Sequence, residues 1–140
     1  MQNSSDPKLA EFAKKTQDES TYHLRHSRAW VVRLGDGTEE SHRRMQDAVD
    51  ILWRFTGELI TPDDTDHIMA EAGIGPEPDQ LASNWREMVN EVLTQATLTP
   101  GADDAWMYMG GKHGEHTEHL GFILAEMQFL QRAYPDATTW

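Results

Sequence analysis

The sequence predicts an all-α domain, and three observations carry that prediction. Apolar residues recur at spacings of three and four, most clearly in Leu81, Trp85, Met88, Val89, Val92, Leu93 and Ala96. No stretch alternates at period two. Glycine and proline fall in clusters that divide the chain into pieces of helix length. There are 140 residues, 38% of them hydrophobic. A chain this long buries roughly 68% of its unfolded surface, so one domain over residues 1–140 is expected.

The elements follow in order. Asp6 caps a helix whose first residue is Pro7, and no further breaker occurs before Gly35, so one long helix is read from Pro7 to about Leu34. Gly35-Asp36-Gly37 ends it, with glycine expected to take the left-handed conformation there. Thr38 is the next cap, and Glu39 and Glu40 suit the positive end of a second helix running to about Thr56. The two make an antiparallel hairpin. Residues 57–79 hold seven acids, no Lys or Arg, and three prolines, and read as an acidic connecting arm with a short helix from Thr61-Pro62 to Ala72. The Leu81–Ala96 stripe forms a fourth helix packed on the hairpin. Thr99 to Gly114 has too many breakers for a regular element, and Trp106-Met107-Tyr108-Met109 requires it to fold back onto an apolar surface. The last helix, Glu115 to Ala133, is apolar on nearly every side and belongs at a centre or an interface.

Composition excludes several functions. With 24 Asp and Glu against 12 Lys and Arg the formal charge is −12, which repels nucleic acid and anionic lipid. Arg25, Arg28, Arg33, Arg43 and Arg44 read as intramolecular partners of Glu39, Glu40 and other acids on helix faces. The absence of cysteine removes disulfides, thiolate catalysis and Cys-based zinc sites, and fits a reducing compartment. No signal peptide is visible, and the longest apolar run, Leu120–Ala125, is far short of a bilayer span. A cytoplasmic protein is expected, with neither nucleic acid nor membrane as partner.

The residues able to carry chemistry are polar groups on predicted inward faces. Glu19, His23 and His26 cluster within two turns of the first helix. Glu39 and His42 share the inward face of the second and form a Glu-x-x-His pair, the offset at which one carboxylate and one imidazole meet a di-iron or di-manganese pair. A full site requires a second such pair. The last helix supplies Glu115, Glu118, Glu126 and the run His113-Gly-Glu-His-Thr-Glu-His119, in which no second Glu-x-x-His occurs. The metal reading therefore takes Glu19, Glu39, His42, Glu115 and His119 as its ligands. The preferred reading makes His23, His26, Arg33, Asp36, Glu39 and His42 a buried polar or contact network, in which arginine forks partner acids and fix helix register. Gly110-Gly111-Lys112 lacks the spacing of a phosphate loop, and Ser41 beside His42 points away from it on a helix, so neither a phosphate site nor a hydrolase triad is supported.

Longer motifs carry a family resemblance. Tyr22-His23-Leu24-Arg25-His26, the run from Trp30 through Gly35-Asp36-Gly37-Thr38-Glu39-Glu40-Ser41-His42 to Gln46, His116-Thr-Glu-His119-Leu-Gly, and Ala125 to Pro135 together resemble the PaaC-type subunits of phenylacetyl-CoA epoxygenases. The resemblance spans Tyr22 to Trp140. It implies a ferritin-like helical bundle in an oxygen-dependent monooxygenase complex that epoxidises the ring of phenylacetyl-CoA during phenylacetate breakdown. It further implies a structural role with no catalytic residue and no cofactor in this chain, the di-iron centre residing in a paralogous catalytic partner. Members of that family usually carry further helices ahead of the segment matching Asp6 onwards, so this chain resembles their C-terminal part. A partial bundle would leave Phe12, Trp30, Ile123 and Met127 uncovered, and a homodimer is expected to complete it.

Overall fold

The computed structural model describes residues 1–139, and these are helical, with no strand among them. The elements are α1 (Pro7–Gly35), α2 (Glu39–Leu52), α3 (Gly57–Ile60), α4 (Asp64–Glu71), α5 (Pro78–Gln95), α6 (His119–Met127) and α7 (Phe129–Ala133), with 3-10 turns at Trp53–Phe55 and Gly111–His113. They form two compact units, Met1–Tyr108 and Met109–Trp140.

In the first unit, α1 begins as its sequence requires: the Asp6 carboxylate accepts from the backbone N–H of Lys8 and Leu9, and Pro7 occupies the first turn. Thr38 opens α2 through a reciprocal cap, in which Thr38 Oγ1 accepts from the Ser41 N–H and Ser41 Oγ accepts from the Thr38 N–H at 2.9 Å. The glycines between these helices serve another purpose than expected. Neither Gly35 nor Gly37 has positive φ. Each is needed for close approach. A Cβ on Gly35 would collide with the Ala96 carbonyl oxygen and stand 2.8 Å from Ala96 Cβ, and one on Gly37 would stand 2.6 Å from the Arg33 carbonyl oxygen.

The second helix stops earlier than predicted, at Leu52, and tightens into the 3-10 turn before α3. The cap of the short helix also moves. Asp63 and Asp66 cap each other's backbone N–H groups and α4 starts at Asp64, so Thr61-Pro62 precedes the helix. The Thr61 hydroxyl instead donates to the Gly57 carbonyl at 2.8 Å. α4 closes on Gly73, φ +67°, with Gly73 N–H bonded to Ala70 O and Ile74 N–H to Met69 O. α5 then packs on α1 and α2. The core lies where these three meet: Leu93, Ala96 and Leu98 are buried, with Val31, Val32, Met45, Val49, Trp53 and Val89 against them.

Residues 99–108 fold back as expected through Met107 and Tyr108, whereas Trp106 stays 65% exposed. Gln46 clamps Thr99, accepting from its N–H at 2.9 Å and donating to its carbonyl at 3.0 Å. Tyr108 N–H bonds Arg54 O at 2.8 Å while its ring stacks on Phe55. This return encloses a cavity of about 200 Å³ lined by Trp53, Trp85, Arg86 and Met107, and the Trp53 Nε1–H is buried without a protein acceptor.

The second unit departs from the predicted continuous helix. Gly110 and Gly114 hold positive φ on either side of the Gly111–His113 turn. Glu115 N–H returns to Gly110 O, so helix starts only at His119. A break at Gln128 separates α6 from α7. Leu120 is half-buried in this unit, while Phe122 and Met127 are each 69% exposed.

Gly35→Ala is expected to destabilise the first unit by roughly 1–3 kcal/mol, because the added methyl must push α5 away from α1. Urea unfolding followed by circular dichroism measures it.

Candidate functional site

The corner where α1 ends, α2 begins and α5 terminates gathers the most specific polar geometry in the first unit. The Gly35 carbonyl is one of the orphan acceptors at the end of α1. His42 Nδ1 lies 2.7 Å from it, and since a carbonyl only accepts, Nδ1 carries the proton. Thr97 Oγ1 donates to the same oxygen at 3.4 Å. His42, one turn into α2, therefore caps the preceding helix.

Thr97 is itself unusual. It occupies the left-handed position closing α5, with φ +59°, where its N–H bonds Thr94 O and the N–H of Leu98 bonds Leu93 O. This is the Schellman arrangement that α4 makes with Gly73. A β-branched residue there is strained, and strain of this kind is retained where the surroundings hold it. Sequence reasoning passed over Thr97, because a threonine between Ala96 and Leu98 carries no signal of a helix end.

The other predicted site residues are placed differently. No polar or charged residue is buried among the described residues, so His23, His26, Arg33, Asp36, Glu39 and His42 form no buried network within this chain. Only His42 is half-buried; the other five are exposed. Their inward placement fails because α1 packs through Val31, Val32 and Gly35, which leaves His23, His26 and Arg33 on other faces. His23 Nε2 stands 3.6 Å from Glu19 on the surface. Arg33 lies over the Trp30 ring at 5.8 Å, and Arg25 over Tyr22 at the same distance. Arg43 and Arg44 pair with Glu40 inside α2, as read from the sequence, and Arg28 reaches Glu91 of α5 at 2.8 Å. Such exposed pairs contribute at most about 1 kcal/mol each.

The same placement bears on metal. Glu39 sits exposed in the first turn of α2, whereas Glu19 lies sixteen residues before Gly35, about 24 Å along α1. Glu115 and His119 belong to the second unit, both exposed. Among the described residues no three His, Asp or Glu side chains stand together as ligands for one ion. Within the first unit, Glu19 therefore lies too far along α1 to share an ion with Glu39 and His42. No described helix is long and apolar enough to cross a membrane.

Two substitutions at the corner are expected to act with opposite sign. His42→Ala strips the Gly35 carbonyl of its principal donor and costs about 1 kcal/mol. Thr97→Gly relieves the left-handed strain and stabilises by about 1 kcal/mol. Urea midpoints of the two variants against the parent chain check both.

Comparison with known proteins places the chain in a family. A family model described as "Phenylacetic acid catabolic protein" matches residues 1–140. The chain is 46% identical over 135 residues to the C subunit of 1,2-phenylacetyl-CoA epoxidase from Escherichia coli (strain K12), an alignment covering 96% of this chain and 54% of that protein. The chain thus spans about half the length of the curated relative it matches. The all-helical order and the match along the whole chain agree: this protein belongs to the phenylacetic acid catabolic protein family, whose fold is the ferritin-like helical one.

Proposed function

We propose that this chain is a structural, non-catalytic subunit of a phenylacetyl-CoA epoxidase-type complex, and that it acts by packing helices against an iron-bearing paralogous subunit. The observation that carries the reading is uncovered apolar surface. Within the first unit Phe12 is 64% exposed on α1, and in the second Ile123, Met127 and Phe129 are exposed on α6 and α7. Surfaces of this kind mark sites of association, and obligate interfaces bury roughly 2,000 Å² or more in total.

The relative's description as a subunit of an epoxidase supports a role in an assembly. The charge supports a non-binding role toward substrate: an anionic CoA thioester is repelled by −12 unless another chain brings cations. Self-association through the same apolar faces is part of the proposal.

The reading predicts that this chain co-purifies with the catalytic paralogue, and that deleting it abolishes ring epoxidation in cells; retained epoxidation overturns it. It also predicts that Glu39→Ala leaves the iron content of the purified assembly unchanged. Loss of iron in that variant, measured by elemental analysis, would assign the metal to this chain instead.

A further inference from the structure

Residues 21–35 are the one long stretch of the chain with cations and no acid. They carry Arg25, Arg28 and Arg33, so the remaining residues set nine Lys and Arg against 24 Asp and Glu. Arg28 is spent on Glu91, whereas Arg25 and Arg33 meet no carboxylate among the described residues. They lie over the rings of Tyr22 and Trp30, which are 55% and 48% exposed. Tyr22, His26 and Trp30 repeat every four residues and touch ring to ring, with centroids 6.2 and 6.3 Å apart. The result is an ordered cation–aromatic ladder on the solvent side of α1. Its side chains are already stacked, so docking an anionic surface on it sacrifices little rotamer freedom.

The complementary surface is in the same chain. The acidic arm, residues 57–79, has no Lys or Arg, and its Glu71 and Glu77 are exposed and in no ion pair among the described residues. The part of the arm around Gly73 is held at the far end of α1 from its own ladder. Ser5, at the start of α1, holds it through Ser5 N–H to Gly73 O at 2.8 Å and Ser5 Oγ–H to Ala72 O at 2.9 Å. Seventeen residues of nearly continuous helix separate Ser5 from Tyr22, about 25 Å, which exceeds the screening length of roughly 8 Å at physiological salt.

We infer that the occupant is a second copy: the arm of one protomer seats Glu71 and Glu77 against Arg25 and Arg33 of its partner. A two-fold pair makes this contact twice, since in such an interface residue i meets j and j meets i. A nucleic acid or anionic membrane offers the same negative charge without fixed positions; a second copy, which also carries −12, is set apart by bringing two exposed carboxylates, Glu71 and Glu77, at defined places. The inference rests on the self-association proposed above and names the surface that directs it.

Sedimentation equilibrium of the full chain tests it. Dimerisation is expected to weaken at least tenfold between about 50 and about 500 mM NaCl, from the screening of charge pairs. Arg25→Glu with Arg33→Glu is expected to raise the dimer Kd about tenfold or more, as is Glu71→Arg with Glu77→Arg. Mixing the two charge-reversed proteins should restore association to within about threefold of the parent, a rescue that misfolding cannot mimic. A monomer at every concentration overturns both this inference and self-association. A dimer indifferent to salt and to both reversals overturns this inference alone and leaves association to the apolar faces. Reversals that spare the dimer but release the paralogous subunit assign the ladder to that subunit and overturn the second-copy occupant.

Discussion

The approach of the Gly35 backbone to Ala96 is the constraint on which the first unit depends. Two helices come this close only where one lacks a Cβ and the other offers a methyl. Their contact brings three helix ends to one place, and each end brings unsatisfied backbone groups with it. The corner resolves them locally. Val32 O accepts from Asp36 N–H, Gly35 O from His42, and Leu93 O from Leu98 N–H. The residues buried beside them, Leu93, Ala96 and Leu98, are those whose position this geometry sets. The buried cluster is small because it grows from a close backbone contact between helix ends, with Met45, Val49, Trp53 and Val89 only partly covered around it.

That construction changes what the polar residues are for. Arginine, glutamate and histidine were expected between the helices, where desolvation makes unpaired charge costly and partnered charge specific. The helices are joined instead by apolar contacts, by His42 and Thr97 on the Gly35 carbonyl, and by the exposed Arg28–Glu91 pair between α1 and α5. The charged groups lie outside, where Glu40 serves Arg43 and Arg44 along one face of α2. Exposed pairs of that kind hold a helix face in order and add little to stability. Register in this unit is therefore set by shape, through the two glycines of the Gly35-Asp36-Gly37 turn, and by hydrogen bonds to helix ends.

Much of the fold was legible in the sequence because its signals are local. Asp6-Pro7 and Thr38 marked helix starts correctly, since a cap needs only its own neighbours. The α5 stripe was legible for the same reason. Other boundaries depended on competition between signals. Thr61-Pro62 looked like a cap, but Asp63 and Asp66 satisfy each other two residues later, and the reciprocal pair prevails. The final helix was read as continuous because apolar residues run through it, a feature that gives no information about the break at Gln128. The glycines at 35 and 37 were located correctly and given the wrong physical reason, since close approach and positive φ demand the same residue. The candidate site was legible only at His42. Inward faces on α1 were assigned by helical period alone, and period cannot say which of several faces a partner helix will take.

The surface left over is of two kinds, and they do different work in an assembly. Apolar faces such as those bearing Phe12, Phe122 and Met127 attract without direction and are insensitive to salt. They supply affinity but would accept many orientations. Charge placed asymmetrically supplies what they lack, because a cationic ladder opposed to an acidic arm penalises every arrangement that brings like charges together. In a chain whose acids outnumber its cations two to one, confining three arginines to one acid-free stretch of α1 is a costly use of scarce charge unless orientation is what that stretch provides. A subunit that contributes packing to a complex has to be held in one register, and the order of the Tyr22–Arg33 ladder before any partner arrives is the physical form such a requirement takes.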